Sequence, residues 1–257
     1  MRDGYSRAVS SEVFVPPGVY APQGDTALLL RALLHEELRA GARTLDLCTG
    51  TGILAIAAAC GGATATAVDV SGSAVVAARL NARRHACSVR LIRGDLERPV
   101  AGEQFDLVTV NPPYVPSPSP RLPAHGPARA WDAGPTGRFL LDRICRLVPS
   151  LLAPGGVLLF VQSSLAGVDL SLEELRRAGL RARVVGSRTQ RFGPVMAART
   201  GWFEHAGLAG RRERSEELFV IRAEHTQAGT TRRDPGHRLA KPANGPARSS
   251  DREECAT

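Results

Sequence analysis

The sequence predicts an α/β fold: one seven-stranded, mostly parallel sheet with helices on both faces and an antiparallel edge strand. Three observations predict it. Strand-like and helix-like runs alternate from residue 43 onward. The strand runs are almost continuously apolar, as expected for strands buried on both faces. The last two strand runs have no helix of good length between them, which suits an antiparallel pair. The chain has 257 residues, 43% of them hydrophobic, enough to bury such a core.

The elements follow in order. DTALLLRALLHEELRA (25–40) has helical spacing, with Asp25 or Thr26 expected as N-cap. RTLDLC (43–48) reads as the first strand and GILAIAAAC (52–60) as the helix after its glycines. TATAVDV (64–70) is a strand, and SAVVAARLNARRH (73–85) a helix capped by Ser71 or Ser73. VRLIRGD (89–95) and FDLVTV (105–110) are strands. GRFLLDRICRLVPSLLAP (137–154) is a helix closed by Pro154-Gly155. GVLLFVQSS (156–164) is a strand and SLEELRRAG (171–179) a helix ending at Gly179. RARVVGSR (181–188) and EELFVIRA (216–223) are the final strands.

This order implies an N-terminal segment and helix (1–40), a main domain (41–223) and a tail (224–257). In the tail Gly, Pro, Ser, Thr, Arg and Asp replace the periodic pattern, so disorder is expected there. The formal net charge is +8, almost all from arginine; Lys241 is the only lysine. Residues 176–214 carry ten arginines against two glutamates. That stretch is either a solvated surface or a contact for an acidic partner such as nucleic acid or the ribosome. Cys48, Cys60, Cys87, Cys145 and Cys255 form no CxxC pair and no zinc-type cluster. No metal site is expected, and the cysteines read as reduced thiols of a cytoplasmic protein. The N-terminus lacks the apolar core of a signal peptide, and no apolar run is long enough to span a membrane.

Three strand ends in succession carry chemistry. LDLCTGTG places Asp46, Cys48, Gly50 and Gly52 between the first strand and its helix. Glycines there let a ligand approach the backbone, and the helix start favours an anionic group. Taken alone, a glycine turn at this point is common in α/β proteins. Asp69 ends the second strand 17 residues after Gly52, where a carboxylate can accept from both hydroxyls of a ribose. Asp95 ends the third and could accept from an adenine amino group; an ordinary turn aspartate is the bland alternative. Jointly they describe a pocket for an adenosine with an anionic end. No GxxxxGK[ST] is present, so a P-loop is excluded. The GxG lacks a third glycine for a dinucleotide site, which leaves a nucleoside such as S-adenosylmethionine.

The fourth strand runs into Asn111, Pro112, Pro113 and Tyr114. Prolines stop a strand, and a plain stop is one reading. The other is a site for a planar nitrogen, a poor nucleophile because its lone pair is delocalised. The Asn111 side-chain oxygen and the Pro112 carbonyl can accept its N–H groups and turn the lone pair toward a methyl donor. Tyr114 can lie on its flat face. Proline rigidity holds the carbonyl in place.

DLCTGTG, AVDVSGSAVVAARLNA, GDL and VNPPYVP resemble, in order and spacing, class I (Rossmann-like) S-adenosylmethionine-dependent methyltransferases of the HemK type. The resemblance spans residues 13–165. AWDAGPTGRFLLDRI (130–144) is similar to the segment that follows NPPY in that group, and VYAPQGDTALLL (19–30) to the opening of its shorter branch. The resemblance implies methylation of the glutamine side-chain nitrogen in the Gly-Gly-Gln loop of peptide-chain release factors. It implies that Asp46, Cys48, Thr49, Gly50 and Gly52 line the methionine end of the cofactor. Asp69 and Val70 would meet the ribose, and Gly94, Asp95 and Leu96 the adenine. Thr26, Tyr20 and Asn111 would border the cofactor, and Asn111, Pro112, Pro113 and Tyr114 the target amide. Gln23-Gly24 and Cys48 depart from the family pattern. With only about 40 residues ahead of the first loop, the helical substrate domain of the bacterial enzymes is not expected. NPPY also occurs in nucleic-acid methyltransferases. N-methylation of adenine or guanine in RNA or DNA, or of a small molecule, therefore stays open beside the glutamine reading.

Overall fold

The computed structural model describes residues 13–225. The chain forms α1 (Gly24–His35), β1 (Arg43–Leu47), α2 (Ile53–Cys60), β2 (Thr64–Asp69), α3 (Gly72–Arg84), β3 (Val89–Arg93) and β4 (Phe105–Val110). Then come α4 (Phe139–Leu151), β5 (Leu152–Ser163), α5 (Val168–Arg177), β6 (Leu180–Arg191), α6 (Pro194–Ala197), α7 (Thr200–His205) and β7 (Ser215–His225). The seven strands lie in the order β3-β2-β1-β4-β5-β7-β6. β1 to β5 are parallel to one another, and β7 runs antiparallel between β5 and β6.

The apolar strand runs explain this arrangement. Leu45, Leu47, Leu107, Val108, Val110 and Leu158 to Val161 are all buried, so the central strands need cover on both faces. α2 packs on β1 and β2, α3 on β2 and β3, and α4 on β4 and β5. The chain returns to the middle of the sheet between β3 and β4. Beside β1, consecutive crossovers therefore leave in opposite directions. That switch opens a crevice beyond the strand C-termini.

Several boundaries differ from the sequence reading. The N-cap of α1 is Gln23, not Asp25 or Thr26; Asp25 is in the first turn and buried. α4 ends at Leu151, and Pro154-Gly155 lies inside β5 instead of closing the helix. Proline is tolerated there because this leading end pairs only locally, with Leu152 opposite Phe105. β6 and β7 are each longer than expected, and the two short helices α6 and α7 sit between them. Glu224 and His225 belong to β7 and pair with Arg181 and Leu180, so the main domain runs past residue 223. The rest of the expected tail lies outside the described residues.

Cys60 and Cys87 form a disulfide, which corrects the expectation of reduced thiols for that pair. α2 leads into β2 and α3 into β3, and those strands are parallel neighbours. Both helix ends therefore arrive at the same edge of the sheet, with the two Cα atoms 6.1 Å apart. Cys48 and Cys145 are free, and Cys255 lies outside the described residues. Among the described residues no helix is long and apolar enough to cross a membrane, and no group of side chains has metal-site character.

Candidate active site

β1 to β4 end on a cavity of about 840 Å³, a size suited to a drug-sized ligand. Its walls carry Cys48 to Thr51, Asp69 and Val70, Gly94 to Leu96, and Asn111 to Val115. A loop from Leu122 to Asp132 and the segment Pro17 to Tyr20 complete it. Asn81 holds that second segment: it accepts from Phe14 N–H at 2.8 Å and donates to Phe14 O at 3.0 Å and Thr51 O at 2.9 Å. Fully buried on α3, Asn81 ties the N-terminal segment to the first glycine loop.

The first loop is built for close approach. Gly50 has φ 55°, and a Cβ placed on it would meet no atom within 4 Å. Gly52, at φ 84°, does not line the cavity; a Cβ there would come within 2.8 Å of Ala78 Cβ, so it serves the packing of α2 against α3. Cys48 has φ 57°, the left-handed region that glycine enters without strain. Leu96, at the corresponding end of β3, has φ 49°. Two strained non-glycine residues thus sit on one cavity wall, a pattern that marks functional sites.

Asp69 Oδ2 accepts from Gly50 N–H at 2.9 Å and Oδ1 from Ser71 N–H at 2.8 Å. The carboxylate is thereby aimed across the β1 and β2 ends, with lone pairs left for a ligand diol. Burial raises its pKa, opposed by those two N–H groups. Asp46 is placed differently. It is buried, does not line the cavity, and accepts from the hydroxyls of Thr49 and Thr109. Burial raises its pKa to about 7, against the pull of those hydroxyls. It braces β1 and β4 from below the loop. Asp95 lines the cavity, but its Oδ2 already accepts from Arg143 at 3.1 Å, which leaves Oδ1 for a ligand. Burial and the carboxylates of Asp69 and Asp46 push the Cys48 thiol up, so it is a poor nucleophile.

Asn111 to Tyr114 stand on the same wall. Asn111 Nδ2 donates to Thr26 Oγ1 at 3.1 Å, and Tyr114 OH donates to Asp25 Oδ2 at 3.0 Å. Tyr20 OH donates to that same oxygen, also at 3.0 Å. Tyr20, Asp25 and Thr26 all line the cavity, so α1 is joined to the NPPY turn. Asp25 is the residue that sequence reasoning missed as a site residue, taking it for a helix cap. Its one visible signal was an acid placed among apolar positions in the first turn of a helix.

The WDAGPTGR stretch buttresses this turn. Val115 N–H donates to Trp131 O at 2.8 Å, Ala133 N–H to Val115 O at 3.0 Å, and Ser117 N–H to Gly134 O at 2.9 Å. Arg199 donates to Asp132 Oδ1 at 2.6 Å and to Pro116 O at 3.1 Å. Gly137, at φ 71°, passes so close to the Tyr114 carbonyl that a Cβ would overlap it. Arg138, almost fully buried, donates to Gly167 O at 2.8 Å and anchors the start of α4.

A bare backbone at Gly50, carboxylates at Asp69 and Asp95, and the volume beside them fit an adenosyl ligand with an amino-acid end. Proteins of similar sequence agree with that fit. Residues 11–119 match the model of the methyltransferase small domain family. A Methanocaldococcus jannaschii protein provisionally named protein N5-glutamine methyltransferase is 33% identical over 169 residues, covering 65% of this chain and 84% of its own. A release factor glutamine methyltransferase of Bordetella pertussis is 36% identical over 174 residues, covering 64% of each chain. A Streptomyces pristinaespiralis methyltransferase of 4-amino-L-phenylalanine and 4-methylamino-L-phenylalanine is 33% identical over 175 residues, covering 63% of this chain and 59% of its own. The chain thus spans about three fifths of the length of the Bordetella and Streptomyces relatives. Among solved structures, the E. cuniculi Mtq2-Trm112 complex superposes with a TM-score of 0.56 at 23% identity, covering 81% of this chain and 99% of that one. Its likeness is one of fold. Seven-stranded order, cavity and relatives converge: the chain belongs to the HemK-type family of class I S-adenosylmethionine-dependent methyltransferases.

Proposed function

We propose that the protein methylates the side-chain nitrogen of a glutamine in a protein, with the Gly-Gly-Gln loop of a release factor as the leading substrate. The observation that carries the reading is the shared wall: Asn111 to Tyr114 adjoin the cavity that holds Gly50, Asp69 and Asp95. S-adenosylmethionine, when bound, supplies an electrophilic methyl group. Gly50, Asp69, Asp95 and Leu96 would hold it, with Cys48, Thr49, Val70 and Gly94 shaping the same wall. Asp46 and Gly52 would act behind that wall, through Thr49 and through helix packing.

Asn111 Oδ1 and the Pro112 carbonyl would accept the two N–H groups of the target amide. That draws its hydrogens out of the conjugated plane and leaves the nitrogen lone pair facing the methyl group. Tyr114, fixed at its hydroxyl by Asp25, would cover the face of the amide. As the new N–C bond forms, the nitrogen becomes acidic and releases one proton to water. No strong base is required. The relatives named for glutamine methylation support this substrate. A release-factor substrate would put the reaction in the cytoplasm.

A second reading has its own support. The Streptomyces relative acts on an aryl amine, another planar nitrogen, so a small-molecule acceptor suits the same chemistry. Nucleic acid is favoured less by the arginine-rich stretch than its count suggests. Arg177, Arg181, Arg199 and Arg214 are paired with carboxylates. Among the described residues no ion pair holds Arg183, Arg188, Arg191, Arg211 or Arg212, and these remain for an acidic contact. The deciding experiment supplies methyl-labelled S-adenosylmethionine with release factors, total RNA or 4-aminophenylalanine, and locates the label by mass spectrometry. Label on the Gly-Gly-Gln glutamine is expected. Label in RNA or on the aryl amine, with none on that glutamine, would overturn the proposal.

A further inference from the structure

Asn111 can receive a target amide only if its side-chain oxygen, and not its NH2, faces the cavity. The two ends of an amide are nearly the same size, so packing does not choose between them. The protons around it do. On its other side Asn111 meets Thr26 Oγ1 at 3.1 Å. The Thr26 hydroxyl has one proton, and it is given to Asp25 Oδ1 at 3.2 Å. Asp25 accepts in each of its hydrogen bonds: Oδ1 also accepts Thr26 N–H at 2.6 Å, and Oδ2 accepts the hydroxyls of Tyr20 and Tyr114 at 3.0 Å each. A carboxylate suits that setting because it has no proton to offer. A hydroxyl whose proton is committed to a carboxylate shows a lone pair to its other neighbour. Asn111 therefore gives its NH2 to Thr26 and turns its oxygen to the cavity.

We propose that Asp25 is a positioning residue for methyl transfer. Through Thr26 it sets which end of the Asn111 amide meets the acceptor nitrogen, and through Oδ2 it holds Tyr114 over the same place. At 2% exposure Asp25 reaches the acceptor only through these partners. Two elements far apart in sequence, the first turn of α1 and the end of β4, thereby act as one device. The role in turnover rests on the planar-amide reading above; the orientation of Asn111 does not.

The test compares Asp25→Asn, Thr26→Val and Thr26→Ser with the wild-type chain. Asp25→Asn puts an NH2 among four donors, and Thr26→Val removes the hydroxyl at nearly constant shape. Both should lower kcat on a Gly-Gly-Gln release factor by about 10- to 100-fold, with the KM for that substrate within about threefold of wild type. Thr26→Ser keeps the hydroxyl and should restore most of kcat. In the S-adenosylmethionine-bound enzyme, an NMR cross-peak between the Asn111 Nδ2 protons and the Thr26 methyl is expected in wild type and lost in Asp25→Asn. Wild-type kcat in both Asp25→Asn and Thr26→Val, or an unchanged cross-peak in Asp25→Asn, overturns the proposal. If Asp25→Asn does not fold, the Thr26 pair decides by rescue or its absence. If the wild-type enzyme methylates no glutamine, the glutamine reading fails on its own, and the cross-peak alone judges Asp25.

Discussion

Gly137→Ala tests whether the WDAGPTGR stretch shapes the NPPY turn. Gly137 has φ 71°, so an alanine there carries left-handed strain of about 1–2 kcal/mol. Its Cβ would overlap the Tyr114 carbonyl oxygen and stand 3.2 Å from Pro116 Cγ. One backbone must retreat by roughly 1 Å to reach normal contact, an overpacking cost of about 1–3 kcal/mol. A stiffer unfolded chain returns about 0.4–1 kcal/mol. The net loss is about 1–4.5 kcal/mol, or a Tm lower by roughly 2–18 °C for a domain of this size. The displaced atom is next to the proposed acceptor site, and a shift near 1 Å can cost about 100-fold in rate. Gly155→Ala is the matched control: φ is 77°, but a Cβ there meets nothing within 4 Å. It should carry the strain alone and keep wild-type turnover. Thermal unfolding and label transfer, measured on both variants, decide the matter. If Gly137→Ala equals Gly155→Ala in both measurements, the close approach to Tyr114 does not constrain the site.

Other outcomes follow from the same geometry. Asn111→Ala should lower turnover by about 100-fold while cofactor affinity stays within a few-fold, because only the transition state uses its acceptor; calorimetry with S-adenosylhomocysteine and single-turnover rates separate the two. Asp69→Ala should do the reverse, weakening cofactor binding by about 10-fold or more, and a normal affinity would remove the ribose assignment. Burial raises Asp46 to about 7, so the folded state holds its proton more tightly than the unfolded chain does. Its stabilising effect is complete below the unfolded value of 3.8 and is lost as pH rises toward 7. The loss has an upper bound of about 4 kcal/mol, and Asp46→Asn should flatten it in urea denaturation between about pH 4 and 7. Reducing the Cys60–Cys87 bridge opens a separation of 27 residues and should cost about 3.5 kcal/mol on the chain-entropy model. Equal Tm values with and without reductant, in a sample shown by thiol titration to start oxidised, would contradict that figure.

Much of the cavity wall was legible because its signals are local. Gly50 reports a backbone that must lie open, and Asp69 and Asp95 close their strands with carboxylates that line the cavity. Asn111 to Tyr114 stop β4 in a way that no central strand needs. The parallel core was legible for a similar reason, since continuous apolar runs such as LLFV on β5 require cover on both faces. Asp46 and Gly52 show the limit of that reading. Both belong to the glycine loop by sequence, yet one braces two strands and the other makes room for Ala78. Which face a loop residue takes depends on φ and on what packs behind it, and neither is encoded in spacing.

By itself, then, the sequence determined the strand–helix alternation and the chemical character of four strand ends, because each depends on residues near one another in the chain; the switch point came with the strand order. The tertiary structure alone decided three further things. It brought Asp25 of α1 against Tyr114 and set the donors around Asn111. It passed Gly137 under the Tyr114 carbonyl. It set the ends of α2 and α3 side by side so that Cys60 and Cys87 could bond. In each case segments separated by 23 to 89 residues meet only after the sheet has assembled, and the hydrogen bonds, close contacts and covalent bond that result have no signature in local periodicity.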